Sequence, residues 1–181
     1  MPPYETDKRK ILMLELLGIL FIVLLGSALH FTYDLSGNNP IVGAFSAVNE
    51  SVWEHLKLAY WPALLYAIAE YRQLKDIPGF FPAKALGIYL MPISIVALFY
   101  TYRSFFEESL VIDILIFILA VIIGQLTSYR IMIYKEPSNI WKGVSITSLI
   151  VLGMLFILFT FYAPHLPIFQ DPISGSYGIA S

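Results

Sequence analysis

The chain has no cysteine. Disulfides, thiolate metal sites and cysteine nucleophiles are therefore excluded. Charge is scarce as well. Asp, Glu, Lys and Arg make up 13% of the 181 residues, against about 25% in an ordinary soluble domain. The formal net charge is −2, which leaves no basic footprint for nucleic acid. No phosphate loop, dinucleotide fingerprint or nucleophile elbow occurs. There is no internal repeat and no low-complexity tract. Histidine is confined to three positions.

What is present is apolar. Hydrophobic residues account for 58% of the chain, and the mean hydropathy is +0.74. A soluble fold cannot hide that much apolar side chain, whereas a bilayer can. The apolar runs predict an all-α polytopic transmembrane bundle. Five spanning helices are expected at about 11–30, 52–71, 82–102, 109–129 and 141–162, each long enough for ~30 Å of hydrocarbon. Pro62 and Pro92 fall inside two of them and predict kinks. Asn39-Pro40 reads as an N-cap and first helical position. The segment 40–48 that follows is apolar but too short to span, and reads as interfacial or re-entrant. The tail 163–181 is rich in Pro, Gly and Ser and cannot span. All of this fits one domain. Lys8-Arg9-Lys10 ahead of the first apolar run, and Gly26-Ser27-Ala28 late in it, outline a signal peptide. The run is longer than a signal core, so it reads as a retained first helix.

Basic residues set the expected orientation. With the N-terminus inside, Lys8, Arg9, Lys10, Arg72, Lys75, Lys84, Arg130, Lys135 and Lys142 lie at the inner face. Only Lys57 and Arg103 lie at the outer one. A nine-to-two split of the eleven Lys and Arg is a positive-inside signal. It predicts a multi-pass protein of the plasma membrane, N-terminus cytoplasmic and C-terminus extracytoplasmic. The lipid bilayer is its expected partner, and a homo-oligomer is left open.

The same topology places His30, His55 and His165 together at the outer face. Asp34, Glu50, Glu54, Asp113 and Asp171 fall at similar depth or beyond. Histidine and carboxylate are ligands for zinc, ferrous iron or manganese. The candidate metal ligands are thus His30, His55 and His165 with Asp34 and Asp171. Glu54 and Glu50 are candidates for a further ligand or a general base. A simpler reading stands beside this one. Ser51-Val52-Trp53-Glu54 fits a capping box, in which Glu54 satisfies an amide. Glu50 suits the positive end of a helix dipole, and Asp34 suits a turn. Glu15, one turn inside the first helix, is expected to snorkel or to pair with a nearby Lys or Arg. Gln125 is expected to bond across helices.

Several motifs carry a resemblance. His30-Phe31-Thr32-Tyr33-Asp34, Ser36-Gly37-Asn38-Asn39-Pro40, Asn49-Glu50-Ser51-Val52-Trp53-Glu54-His55-Leu56-Lys57, and the ending Pro164-His165-Leu166-Pro167 with Phe169-Gln170-Asp171-Pro172 resemble a family of small uncharacterised prokaryotic membrane proteins. The likeness implies membrane location and a shared outer-face site, and no particular reaction. A looser likeness is to metal-dependent membrane hydrolases such as the alkaline ceramidases. Those have about seven helices and paired terminal histidines that this chain lacks. The expected function is a metal-dependent membrane enzyme, a hydrolase, using zinc or another divalent metal at the outer boundary. The alternatives are an ion or small-solute transporter or accessory subunit, and a structural membrane protein without a site.

Overall fold

The computed structural model describes residues 3–77, 79–134 and 140–179. Six helices account for most of them: α1 Pro3–Leu35, α2 Pro40–Gly43, α3 Val52–Leu74, α4 Phe80–Arg103, α5 Leu110–Tyr134 and α6 Ile140–Phe161. A 3-10 turn follows at Pro167–Phe169. Helix is what a membrane-embedded chain must form, because the hydrocarbon offers no partner for backbone groups. Four helices are long and apolar enough to cross a membrane: α1 from Lys8, α4, α5, and α6 from Trp141. Their outward faces carry exposed Leu16, Leu20, Leu24, Ile150 and Met154, a surface suited to lipid. The fold is that of a multi-pass helical membrane bundle.

α3 differs in composition. It is 23 residues long but contains Glu54, Lys57, Glu70 and Arg72. It packs against α1, α4 and α6, and its Leu56, Ala59, Tyr60 and Ala63 are buried. It runs antiparallel to α1 over its whole length. Lys10 Nζ donates to Gln73 O at 2.9 Å, Tyr66 Oη donates to Leu14 O at 2.6 Å, and His30 meets His55 at the other end. Polar groups that would be costly toward lipid are thereby turned toward protein.

Two close approaches set the spacing. Pro62 has no N–H to offer Leu58 O. That carbonyl faces α1 at a glycine: a Cβ built on Gly26 would lie 2.5 Å from Leu58 O. Gly87 and Gly124 bring α4 and α5 together in the same way, each Cβ meeting the other's carbonyl at 2.6 Å. Small residues at such crossings are the usual device of membrane helices.

The outer end is organised by caps and by the tail. Asn39 caps α2 by accepting from Ile41 N, with Pro40 at the first helical position. Ser51 caps α3 by accepting from Glu54 N. The tail returns on itself through a Gln170–Tyr177 bridge. It is tied down where Asn49 Nδ2 donates to Gly178 O at 3.0 Å and Ile179 N donates to Thr160 O at 2.9 Å.

Candidate metal centre

His30 lies in the last turns of α1, His55 in the first turn of α3, and Glu50 one residue before the Ser51 cap. The antiparallel pairing of α1 and α3 brings the two histidines level. The loop tied down at Asn49 delivers Glu50 beside them. His30 Nε2 is 3.1 Å from His55 Nε2. Glu50 Oε2 is 3.7 Å from the first and 3.4 Å from the second. A triangle with these edges has a circumscribed radius of about 2.0 Å. His30, His55 and Glu50 would therefore hold a divalent cation at zinc's usual ~2.1 Å and leave room for a further ligand.

The supporting contacts agree. His55 Nδ1 is 2.9 Å from Ser51 O. A carbonyl only accepts, so Nδ1 carries the hydrogen, and the neutral ring presents its Nε2 lone pair to the cluster. Protonated, the rings instead hydrogen-bond Glu50, His30 foremost and His55 next. They then hold its carboxyl well below the ordinary carboxylate range. Either way Glu50 is charged at neutral pH.

A cavity of about 470 Å³ runs from this cluster into the bundle between α1, α3, α4 and α5. Val23, Leu58, Ile95, Phe99, Ile116 and Phe117 make its walls apolar. Arg103, Glu108 and Asp113 stand at its polar end. Asp113 is held there by the Tyr102 hydroxyl, which donates to Oδ1 at 2.5 Å. Pro167, Gln170 and Pro172 of the tail also line it.

The other residues singled out from sequence lie elsewhere. His165 is not among the three whose donor atoms gather. Its exposed ring packs edge-on against Tyr177, with centroids 4.6 Å apart. Asp34 is exposed, beyond the apolar part of α1. Asp171 is buried but organises the tail: its Oδ1 accepts from Ile173 N at 3.0 Å and its Oδ2 from Ser174 Oγ at 2.5 Å. Glu54 is fully engaged. Lys57 Nζ touches its Oε2 at 2.5 Å, Val48 N donates to that oxygen at 3.1 Å, and Thr160 Oγ1 donates to Oε1 at 3.2 Å. The capping box is therefore half formed. Ser51 caps Glu54 N, but Glu54 answers Val48 N instead of the cap's own amide, which bonds Asn49 Oδ1.

Sequence reasoning missed several partners. Lys57, counted as an outer surface charge, is buried and also donates to Gly43 O at 2.8 Å and Thr160 Oγ1 at 2.7 Å. Lys84, counted at the inner face, is buried against Glu15 and Glu70. Nothing local signals these pairings, which join residues up to 103 apart. Arg103 and Glu108 at the cavity mouth carried no motif. Glu15 does pair with a lysine, and Gln125 Nε2 does cross to Glu15 O at 3.4 Å.

Bundle and cluster define a class: multi-pass helical membrane proteins with two histidines and a carboxylate gathered at one end. Residues 5–179 match a family of unknown function, DUF6512, and the chain belongs to it. No curated protein and no solved structure matches the chain.

Proposed function

We propose that this protein is a metal-dependent membrane hydrolase whose centre is His30, His55 and Glu50. The observation that carries the reading is the close spacing of three donors beside an apolar cavity. Two histidines and a glutamate, with a position left open, are a ligand set of catalytic zinc. A divalent metal held by these three residues would supply a water activated near neutral pH without a separate base. That matters here, because Glu50 is a ligand and Glu54 is taken by Lys57. The cavity walls favour a substrate with an apolar chain, its ester or amide carbonyl presented to the metal. Hydrolysis there would join the water's oxygen to the carbonyl carbon and break the carbon–heteroatom bond, with the leaving group taking up the proton that the water gave up.

The topology proposed is five crossings in the plasma membrane, with α3 as the fifth and the cluster at the outer face. Setting aside buried Lys57 and Lys84, and Lys135, which lies outside the described residues, leaves seven basic residues at the inner end and Arg103 at the outer, which supports the same orientation. Transport is disfavoured. Below the cavity lie buried Ile22, Ile88, Met91 and Val121, and a transport path needs polar groups along its length.

Elemental analysis of purified protein tests the reading. Near-stoichiometric zinc or another divalent metal is expected, lost in His30→Ala and His55→Ala and retained in His165→Ala. Wild-type protein that neither carries metal nor takes up added zinc would sink it.

A further inference from the structure

Two buried ion clusters hold this bundle together, and they differ in one respect. In the outer cluster, one carboxylate meets one ammonium. Glu54 faces Lys57, and both Glu54 oxygens also receive donors from Val48 and Thr160. In the other, near the opposite end of the bundle, two carboxylates meet one ammonium. Lys84 Nζ touches Glu15 Oε1 at 2.5 Å and also touches Glu70 Oε2. The three residues are 0%, 2% and 3% exposed for Glu15, Glu70 and Lys84. Glu15 Oε2 and Glu70 Oε1 receive no hydrogen bond from the described residues.

Among the described residues, Lys84 is the positive charge that acts on both carboxylates. α1 contributes Glu15 and α4 contributes Lys84. α3 contributes Glu70 and Tyr66, whose hydroxyl is spent on Leu14 O. α5 contributes neutral Gln125 and Ser128, bonded to Glu15 O and Ala83 O. One turn toward the helix ends lie buried Ile11, Leu74 and Phe80. Fully ionised, the cluster would keep a net negative charge away from water and lipid headgroups, with carboxylate oxygens short of donors. Such a charge is strongly disfavoured. Two carboxylates touching one ammonium also lie within about 5 Å of each other, where like charges resist joint ionisation.

We propose that Glu15, Glu70 and Lys84 form a proton-binding site that holds one proton between the two glutamates at neutral pH. The proton makes the cluster neutral. It also turns one unpartnered oxygen into a donor for the other carboxylate. A second metal ion is the poorer occupant, because Lys84 already stands between the carboxylates. The site is independent of the His30–His55–Glu50 centre: it shares α1 and α3 with it but lies 15 residues further along each, about 22 Å at 1.5 Å per residue.

Infrared spectroscopy of the full chain in lipid nanodiscs, with glutamate isotopically labelled, tests this. The sample is held near pH 7.5, about three units above the ~4.3 of a free glutamate. Wild type should show the carbonyl stretch of a protonated glutamic acid. Either Glu15→Gln or Glu70→Gln should abolish it, because the remaining carboxylate then pairs one-to-one with Lys84. Glu54→Gln should leave it intact. A wild-type spectrum without the band overturns the proposal by itself, as does a band that survives both Glu15→Gln and Glu70→Gln. Should neither of those variants fold, loss of the band in Glu54→Gln would overturn it and persistence there would support it.

Discussion

Replacing Lys57 by Met asks what the outer ion pair contributes. Lys57 is 0% exposed and Glu54 1%. The ammonium satisfies three acceptors: Glu54 Oε2 at 2.5 Å, Thr160 Oγ1 at 2.7 Å and Gly43 O at 2.8 Å. Its loss leaves the Glu54 carboxylate buried with only Val48 N and Thr160 Oγ1 as donors. Stranding one member of a buried pair costs about 3–5 kcal/mol. A chain of this size shifts its melting midpoint by about 2–4 °C per kcal/mol, so Lys57→Met should melt roughly 6–20 °C below wild type in mild detergent. Adding Glu54→Gln removes the stranded charge and should restore most of that loss, since a neutral replacement of a buried pair is often tolerated. The double variant should also bind as much metal as wild type, because Glu54 is engaged by Lys57, Val48 and Thr160 outside the proposed centre. A single variant as stable as wild type, or a double variant no better than the single, would refute the reasoning.

Two further outcomes follow from the packing and the topology. Gly26→Val places a side chain against Leu58 O, where a Cβ would stand at 2.5 Å. It should cost about 1–3 kcal/mol as overpacking and reduce bound metal by spreading α1 from α3, read by thermal melting and elemental analysis; unchanged values in both would show that the crossing is loose. Because the chain lacks cysteine, single cysteines report topology cleanly. Cysteines at Gly37 and Gly175 should react with an impermeant reagent in intact cells and one at Asp76 should not, and the opposite pattern would invert the orientation.

The bundle was legible because a bilayer imposes long apolar runs, and α1, α4, α5 and α6 have them. Helix ends were less so. α1 continues to Leu35, past the expected end near His30, because Phe31 to Leu35 meet no helix breaker before Gly37. Glu54 and Lys57 read as boundary charges, yet they and Glu70 face inward, toward the helices α3 packs against. A helix can carry charge at membrane depth when neighbouring helices supply the counter-charge. Glu70 finds its counter-charge in Lys84 of α4, which no local spacing connects to α3, whereas Glu54 and Lys57 pair within α3 and meet Thr160 of α6.

The site was half legible, and the reason lies in what spacing can decide. Alternation of helices predicts depth, so His30 and His55 were expected at one level and they meet there. Depth does not predict azimuth. His165 shares their level along the chain, but the tail's own turn, built around Asp171, aims it at Tyr177. The choice between Glu50 and Glu54 was open for the same reason. Four residues apart on a helix, they would share a face, but Ser51 is the cap and Glu50 precedes it. Glu50 is therefore free of the helical register and swings toward the histidines. Glu54, in the first turn, is fixed on the face that meets Thr160 of α6. The position of one capping serine thus decides which carboxylate joins the imidazoles and which is consumed by a lysine.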